Sequence, residues 1–164
     1  MLNRRHLLKT LTSLSAALIG GPAYAQTPMS KLEAPLPKLL VSKDPNCGCC
    51  GDWVKHMQAA GFPVEVIETA NVGDLKARVG VPPDLASCHT AQIDGYVIEG
   101  HVPAAAVKRL LRQRPAAKGL TTPGMPLGSP GMEVSGQDPD VYEVILFGPA
   151  GRSTFAKYKG LIEL

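Results

Sequence analysis

Lys38-Leu39-Leu40-Val41-Ser42-Lys43-Asp44-Pro45-Asn46-Cys47-Gly48-Cys49-Cys50-Gly51-Asp52-Trp53 holds three of the chain's four cysteines in four residues. It opens as a short apolar run, the signature of a buried strand. Asp44-Pro45-Asn46 supplies turn chemistry. Three cysteines follow. Beyond them Trp53, Met57 and Ala60 fall on one face of a helix that Gly61 ends. A strand therefore delivers three thiols to the first turn of a helix. Backbone N–H groups are unpaired there and the helix carries about half a positive charge. That environment favours thiolate over thiol.

The chain has four cysteines, and the fourth, Cys88, lies beside His89. A disulfide framework spaces its cysteines, because each bridge needs suitable Cα separations and Cβ directions. Three thiols within four residues cannot all pair with one another. At most one can bridge to Cys88, and a second pair has to form inside the cluster. Clustered thiolates on one turn suit a soft metal ion or thiol redox chemistry. Both readings place one site at Cys47–Cys50.

The remaining elements follow in order. Pro63 to Ile67 alternates as a strand does. Asn71 precedes a short helix with Val72, Leu75 and Val79 on one face, and Gly80 stops it. Gln92 to Glu99 reads as a strand pair or a bent strand around Asp94-Gly95. Pro103 starts a third helix with Val107, Leu110 and Leu111 facing inward, and Pro115 ends it. Val141 to Phe147 and Arg152 to Tyr158 alternate around Gly148-Pro149-Ala150-Gly151, a β-hairpin signal. The pattern is β-α-β-α-β-β-α, then a Gly/Pro/Met-rich loop and a C-terminal β-hairpin.

The first 25 residues read as an export signal. Arg4, Arg5 and Lys9 precede an apolar run from Leu11 to Ile19, and Ala23-Tyr24-Ala25 is an A-x-A cleavage pattern. The run is shorter than the ~20 residues a membrane-spanning helix needs. Arg4-Arg5 with Leu7-Leu8-Lys9 resembles a twin-arginine signal; an ordinary secretory signal holding two arginines is the alternative. Cleavage after Ala25 leaves a mature chain for the periplasm. Residues 26–37, with Pro28, Pro35 and Pro37, read as an extended leader, and 38–164 as one metal-binding domain. The formal +3 charge belongs to the signal. Without its three basic residues, 14 of the 17 Lys and Arg face 14 Asp and Glu. Nothing basic then argues for nucleic acid or an anionic membrane. Lys108, Arg109, Arg112 and Arg114 read as the solvated face of the third helix.

Cysteines between the first strand and first helix make this an α/β arrangement of thioredoxin-like type. In such proteins the loop before the third strand lies beside the helical cysteines, which brings Cys88 to the other three. Two features depart from a plain redox site. Cys49 occupies the interior of the Cys47-x-x-Cys50 motif. The loop where a substrate-guiding proline usually stands reads Ser87-Cys88-His89-Thr90.

Residues 46–53 and Ser87-Cys88-His89-Thr90 resemble the CopG-type periplasmic copper-resistance proteins. Gly95 through Pro103, Gly119-Leu120, Pro123 through Pro126 and Gly128 through Glu133 are similar as well, so the likeness covers about residues 38–158. The resemblance implies a thioredoxin-like fold, a role in copper handling and a small Cu(I)–thiolate cluster. It implies Cys47, Cys49, Cys50 and Cys88 as ligands, more than one copper ion, and other periplasmic copper-handling proteins as partners. Cu(I) chemistry fits independently, because it prefers soft donors and bridging thiolates let adjacent cysteines serve several ions. A mononuclear zinc site normally uses separated Cys pairs, and the Cys49-Cys50 adjacency works against it. A thiol–disulfide oxidoreductase and a structural zinc or disulfide-stapled module are the rival readings.

Four further residues stand as secondary metal candidates. His89 can ligate or protonate near the cluster, or bond to backbone. His101 can serve the site or cap the third helix. Met125 and Met132 lie in the stretch 119–139, which holds five glycines and four prolines and reads as a loop without secondary structure of its own. They can bring thioethers to copper or pin the loop to the core. His56 reads as solvated, and Trp53 and Met57 as core.

Overall fold

The structure is a computed structural model that describes residues 35–164. The expected export signal lies outside the described residues, as does most of the expected leader; residues 35–37 carry no helix or strand. Eight strands form one mixed sheet, with three α-helices and one 3₁₀ turn. The strands are β1 (Leu39–Lys43), β2 (Val64–Glu68), β3 (Thr90–Ile93), β4 (Tyr96–Gly100), β5 (Gly119–Thr122), β6 (Val141–Gly148), β7 (Gly151–Lys159) and β8 (Ile162–Glu163). The helices are α1 (Gly48–Ala59), α2 (Val72–Val79) and α3 (Ala104–Gln113).

The sheet order is β2-β1-β3-β4-β5-β6-β7-β8. β1 and β2 run parallel, joined through α1. β3 returns antiparallel on the other side of β1, and β4 pairs antiparallel with β3. The first seven regular elements thus appear in the expected order. The β3–β4 connection is a two-residue turn, with Asp94 at φ 48° and Gly95 at φ 85°. Two consecutive positive φ angles make it a type I′ turn, whose twist matches the flanking strands.

One expectation fails. The stretch 119–139 is not loop throughout, because its first four residues form β5 in the sheet interior. β5 pairs parallel with β4 and antiparallel with β6. All four of its residues are buried, and the Thr121 hydroxyl donates to the Leu85 carbonyl at 2.7 Å. Gly119 is required at its start, since a Cβ there would lie 1.7 Å from the Val97 carbonyl oxygen.

Alternation along β4 serves two apolar clusters. Tyr96 and Ile98 join the main core with Leu39, Val41, Trp53, Met57, Val107, Leu110 and Leu120. Val97 joins a smaller cluster with Val81, Leu85 and Phe147. The hairpin β6–β7 forms as expected and is extended by the short β8. β2 is an edge strand with four of its five residues exposed. The basic face of α3 is only partly solvated: the Arg109 guanidinium stacks on Phe155 at 4.3 Å and donates to the Phe155 carbonyl at 2.7 Å.

Candidate metal centre

The end of β1 sets the cysteine turn. Lys43 is buried, and its ammonium donates to the Asp44 carbonyl at 2.8 Å and pairs with Glu68 at 3.3 Å. Asp44 accepts from the Asn46 N–H through Oδ1 at 2.8 Å and from the Cys47 N–H through its carbonyl at 3.0 Å. Cys47 is then the N-cap residue of α1, in extended conformation, and Gly48 starts the helix. No side chain caps this end and no acidic residue lies in its first turn. The partial positive charge of the helix N-terminus is left for the sulfurs.

Cys88 arrives from the loop before β3. A buried polar cluster holds that loop. Glu99 on β4 is fully buried and accepts from the Lys76 ammonium at 2.5 Å, the Thr90 hydroxyl at 2.7 Å and the Ser87 N–H at 2.6 Å. The Ser87 hydroxyl donates to the Gly124 carbonyl. Gly100 makes room for this corner: its φ is +70°, and a Cβ there would lie 2.5 Å from Ser87.

One sulfur from each of Cys47, Cys49, Cys50 and Cys88 lies within 4.8 Å of the others. Cys50 is fully buried, while Cys47, Cys49 and Cys88 are half-exposed. Cys47 and Cys50 are joined as a disulfide, with Cα atoms 5.4 Å apart. The Cys49 sulfur is 3.6 Å from that of Cys47. Cys49 and Cys88 are free thiols. Burial, reinforced by the neighbouring Cys49, pushes the Cys88 thiol up to about 11.

Two histidines close the inner side. His101 Nε2 is 3.0 Å from Cys88 Sγ, and His89 Nδ1 is 3.3 Å from it. Both rings are fully buried. His101 Nδ1 is 2.8 Å from the Pro130 carbonyl. A carbonyl only accepts, so Nδ1 carries the proton and Nε2 presents its lone pair to Cys88. His89 is held by packing, at 4.4 Å from the Trp53 ring and 5.0 Å edge-on to His101. Burial lowers the pKa of both, with His101 and Lys76 adding to the effect on His89. Both are neutral imidazoles at physiological pH.

The loop after β5 covers this centre. Pro130 bonds His101, and Gly131 passes directly over the start of α1. Met125 is 54% exposed, so it does not pin the loop to the core, while Met132 is half-buried. Trp53 and Met57 are core residues as expected, and the Trp53 N–H donates to the Val102 carbonyl at 2.9 Å.

One expectation about histidine is corrected. His56 is not solvated: its half-buried Nε2 accepts from the Ala104 N–H at 3.1 Å and caps α3. His101 does not cap that helix. It faces Cys88 instead. Sequence periodicity misassigned His56 because its partner is distant in the chain.

A family described as a protein of unknown function, DUF411, matches over residues 85–132, which contain Cys88, His89 and His101. No curated protein matches. Two solved structures, forms 1 and 2 of copper resistance protein CopG, are 45% and 46% identical to this chain. Each alignment covers 76% of this chain and 99% of the other, with a TM-score of 0.71. Among the described residues no helix is long and apolar enough to cross a membrane. With that identity over nearly the whole length of the relatives, this chain belongs to the CopG family of copper-resistance proteins.

Proposed function

We propose that this protein is a periplasmic copper-binding protein that holds Cu(I) as cargo on Cys47, Cys49, Cys50 and Cys88. It contributes to copper tolerance by sequestration, transfer or Cu(I)/Cu(II) cycling. The observation that carries this reading is the convergence of four sulfurs within 4.8 Å, three from the head of α1 and one from the loop before β3. Reduction of the Cys47–Cys50 disulfide makes all four available as soft donors. Cu(I) prefers such donors, and thiolates as close as Cys49 and Cys50 can bridge more than one ion. The helix N-terminus supports thiolates there. The signal over residues 1–25 supports export to the periplasm, and other periplasmic copper-handling proteins are the natural donors and acceptors. The strand order β2-β1-β3-β4, with β1 and β2 parallel and β3 antiparallel, supports the thioredoxin-like reading of this core. Met125, exposed on the covering loop, offers incoming Cu(I) a thioether, with Met132 deeper on the same loop.

The Cys47–Cys50 disulfide at a helix N-terminus favours a second reading, a thiol–disulfide oxidoreductase. Cys49 separates the two. In dithiol exchange Cys49 is an interior spacer, so Cys49→Ala should preserve disulfide reduction. In a copper cluster it supplies one of four sulfurs, so Cys49→Ala should lower copper loading and copper tolerance in cells. Full loading and tolerance in the variant, with efficient turnover of protein disulfides by the wild type, would overturn the copper reading.

A further inference from the structure

Glu99 grips the chain on both sides of Cys88-His89. One carboxylate oxygen, Oε1, accepts from the Ser87 N–H at 2.6 Å, just before the pair. The other, Oε2, accepts from the Thr90 hydroxyl at 2.7 Å, just after it. The Lys76 ammonium reaches in from α2. It donates to Oε1 at 2.5 Å and to the Thr90 oxygen at 2.9 Å. Glu99 and Thr90 are fully buried, and the Lys76 side chain is 13% exposed. These four residues come from α2, the loop before β3, β3 and β4, so the clamp exists only in the folded chain.

We propose that Lys76 and Glu99 are positioning residues that together hold Cys88 where its sulfur meets those of the cysteine turn, although neither supplies a ligand atom. The inference rests on the reading of Cys88 as a copper ligand, and it names what fixes that ligand in place before copper arrives.

An ion pair this deep is a poor source of stability. Taking both charges out of water offsets most of their attraction, and apolar groups of similar volume often serve better. Its use here is direction. No proline stiffens Ser87 to Thr90, so hydrogen bonds set the course of the chain there. A carboxylate has two oxygens and only accepts, so it can take a backbone N–H, a hydroxyl and an ammonium at once. Bonds to a charged group are about twice as strong as neutral ones. Lys76 supplies the countercharge and also orients Thr90: its bond occupies the hydroxyl oxygen and leaves the hydroxyl proton for Oε2. The rest of the loop is tied separately. The Gly100 N–H donates to the His89 carbonyl at 3.0 Å, and the Ser87 hydroxyl donates to the Gly124 carbonyl. Both neighbours of Cys88 are thus fixed, which fixes where its sulfur points.

The test starts from the oxidised, metal-free mature protein, in which the Cys47–Cys50 disulfide leaves Cys49 and Cys88 as free thiols. Lys76→Met combined with Glu99→Gln removes both charges together, so no unpaired buried charge remains. Iodoacetamide labelling, resolved by mass spectrometry, should become several-fold faster at Cys88 and stay close to the wild-type rate at Cys49. Retention of Cu(I) by the fully reduced protein against a chelator is then read as a double-mutant cycle. With Cys88 present, the paired change should weaken Cu(I) binding by about 10–100-fold, the usual cost of losing a group that orients a metal ligand. With Cys88→Ser already in place, the same change should weaken it no further, because its effect runs through that sulfur. A general loss of stability would lower retention in both backgrounds alike. Where circular dichroism shows that the paired variant does not fold, Thr90→Val, which removes one arm of the clamp, carries the same two measurements with the same pattern expected. Unchanged labelling of Cys88, or an equal copper loss with and without Cys88, would overturn the proposal. A wild type that binds no Cu(I) defeats the copper reading, and the labelling rates alone then decide whether the clamp holds Cys88.

Discussion

Gly131 crosses the start of α1 so closely that a β-carbon on it would lie 2.7 Å from the Cys49 carbonyl oxygen. It would also lie 2.7 Å from the Trp53 nitrogen. The covering loop thus rests on the backbone of the cysteine turn, and the residue before it, Pro130, holds the His101 ring. Cover, histidine and cysteines are in direct contact, from Pro130 through His101 to Cys88.

Gly131→Ala should therefore lift the loop. The substitution meets two backbone atoms and a φ of +85°. A non-glycine residue in that region costs about 1–3 kcal/mol before any clash. The expected outcome is a lower melting temperature together with faster loss of Cu(I) to a competing chelator. Gly136→Ala, at a similar positive φ but with nothing near its Cβ, should lower stability and leave copper retention unchanged. Equal copper retention in wild type and Gly131→Ala would show that the loop does not guard the site.

Cys88 should be a slow nucleophile in the metal-free fold. Its pKa is raised from 9.0 to about 11 by burial and by Cys49, so its thiolate fraction near neutral pH is about 100-fold below that of the unfolded chain. Site-resolved alkylation should be correspondingly slower in the folded protein and should accelerate as pH climbs towards 11. The stability sign follows from the same shift. A raised folded-state pKa contributes stability that is complete below pH 9.0 and is lost as pH rises through about 11. Fast alkylation of folded Cys88 at pH 7 would contradict this.

His56 ties the cysteine helix to α3 through the Ala104 N–H. His56→Ala should cost about 1 kcal/mol, the usual loss on removing an N-terminal cap, measured by denaturant unfolding. Protonation also removes the acceptor. Burial lowers the folded-state pKa of His56 below 6.5, so its contribution is present above pH 6.5 and is lost as pH falls through the folded-state value. The stability difference between wild type and His56→Ala should shrink in acid. A difference independent of pH would remove His56 from the cap.

Much of the fold is legible where local chemistry and the final structure agree. The run from Leu39, the turn at Asp44 and the cysteines at the head of α1 need only neighbouring residues to specify them. Asp94-Gly95 specifies a tight hairpin for the same reason. β5 is hidden because Gly119-Leu120-Thr121-Thr122 has a single large apolar residue and stands before a Gly/Pro-rich stretch. It becomes a strand because β4 and β6 flank it and because Thr121 bonds Leu85. Among the site residues, the cysteines announce themselves by spacing. The roles of His56 and His101 do not, since those roles depend on contacts to Ala104, 48 residues away, and to Cys88 and Pro130 across the fold.

The proposed role has the four sulfurs acting together on Cu(I). Its most direct test is anaerobic titration of the fully reduced mature protein with Cu(I), with copper and thiols counted on the same sample. Four thiols and more than one copper per chain, retained against zinc in excess, are predicted. Stoichiometry at or below one copper per chain, or preferential retention of zinc, would contradict the account.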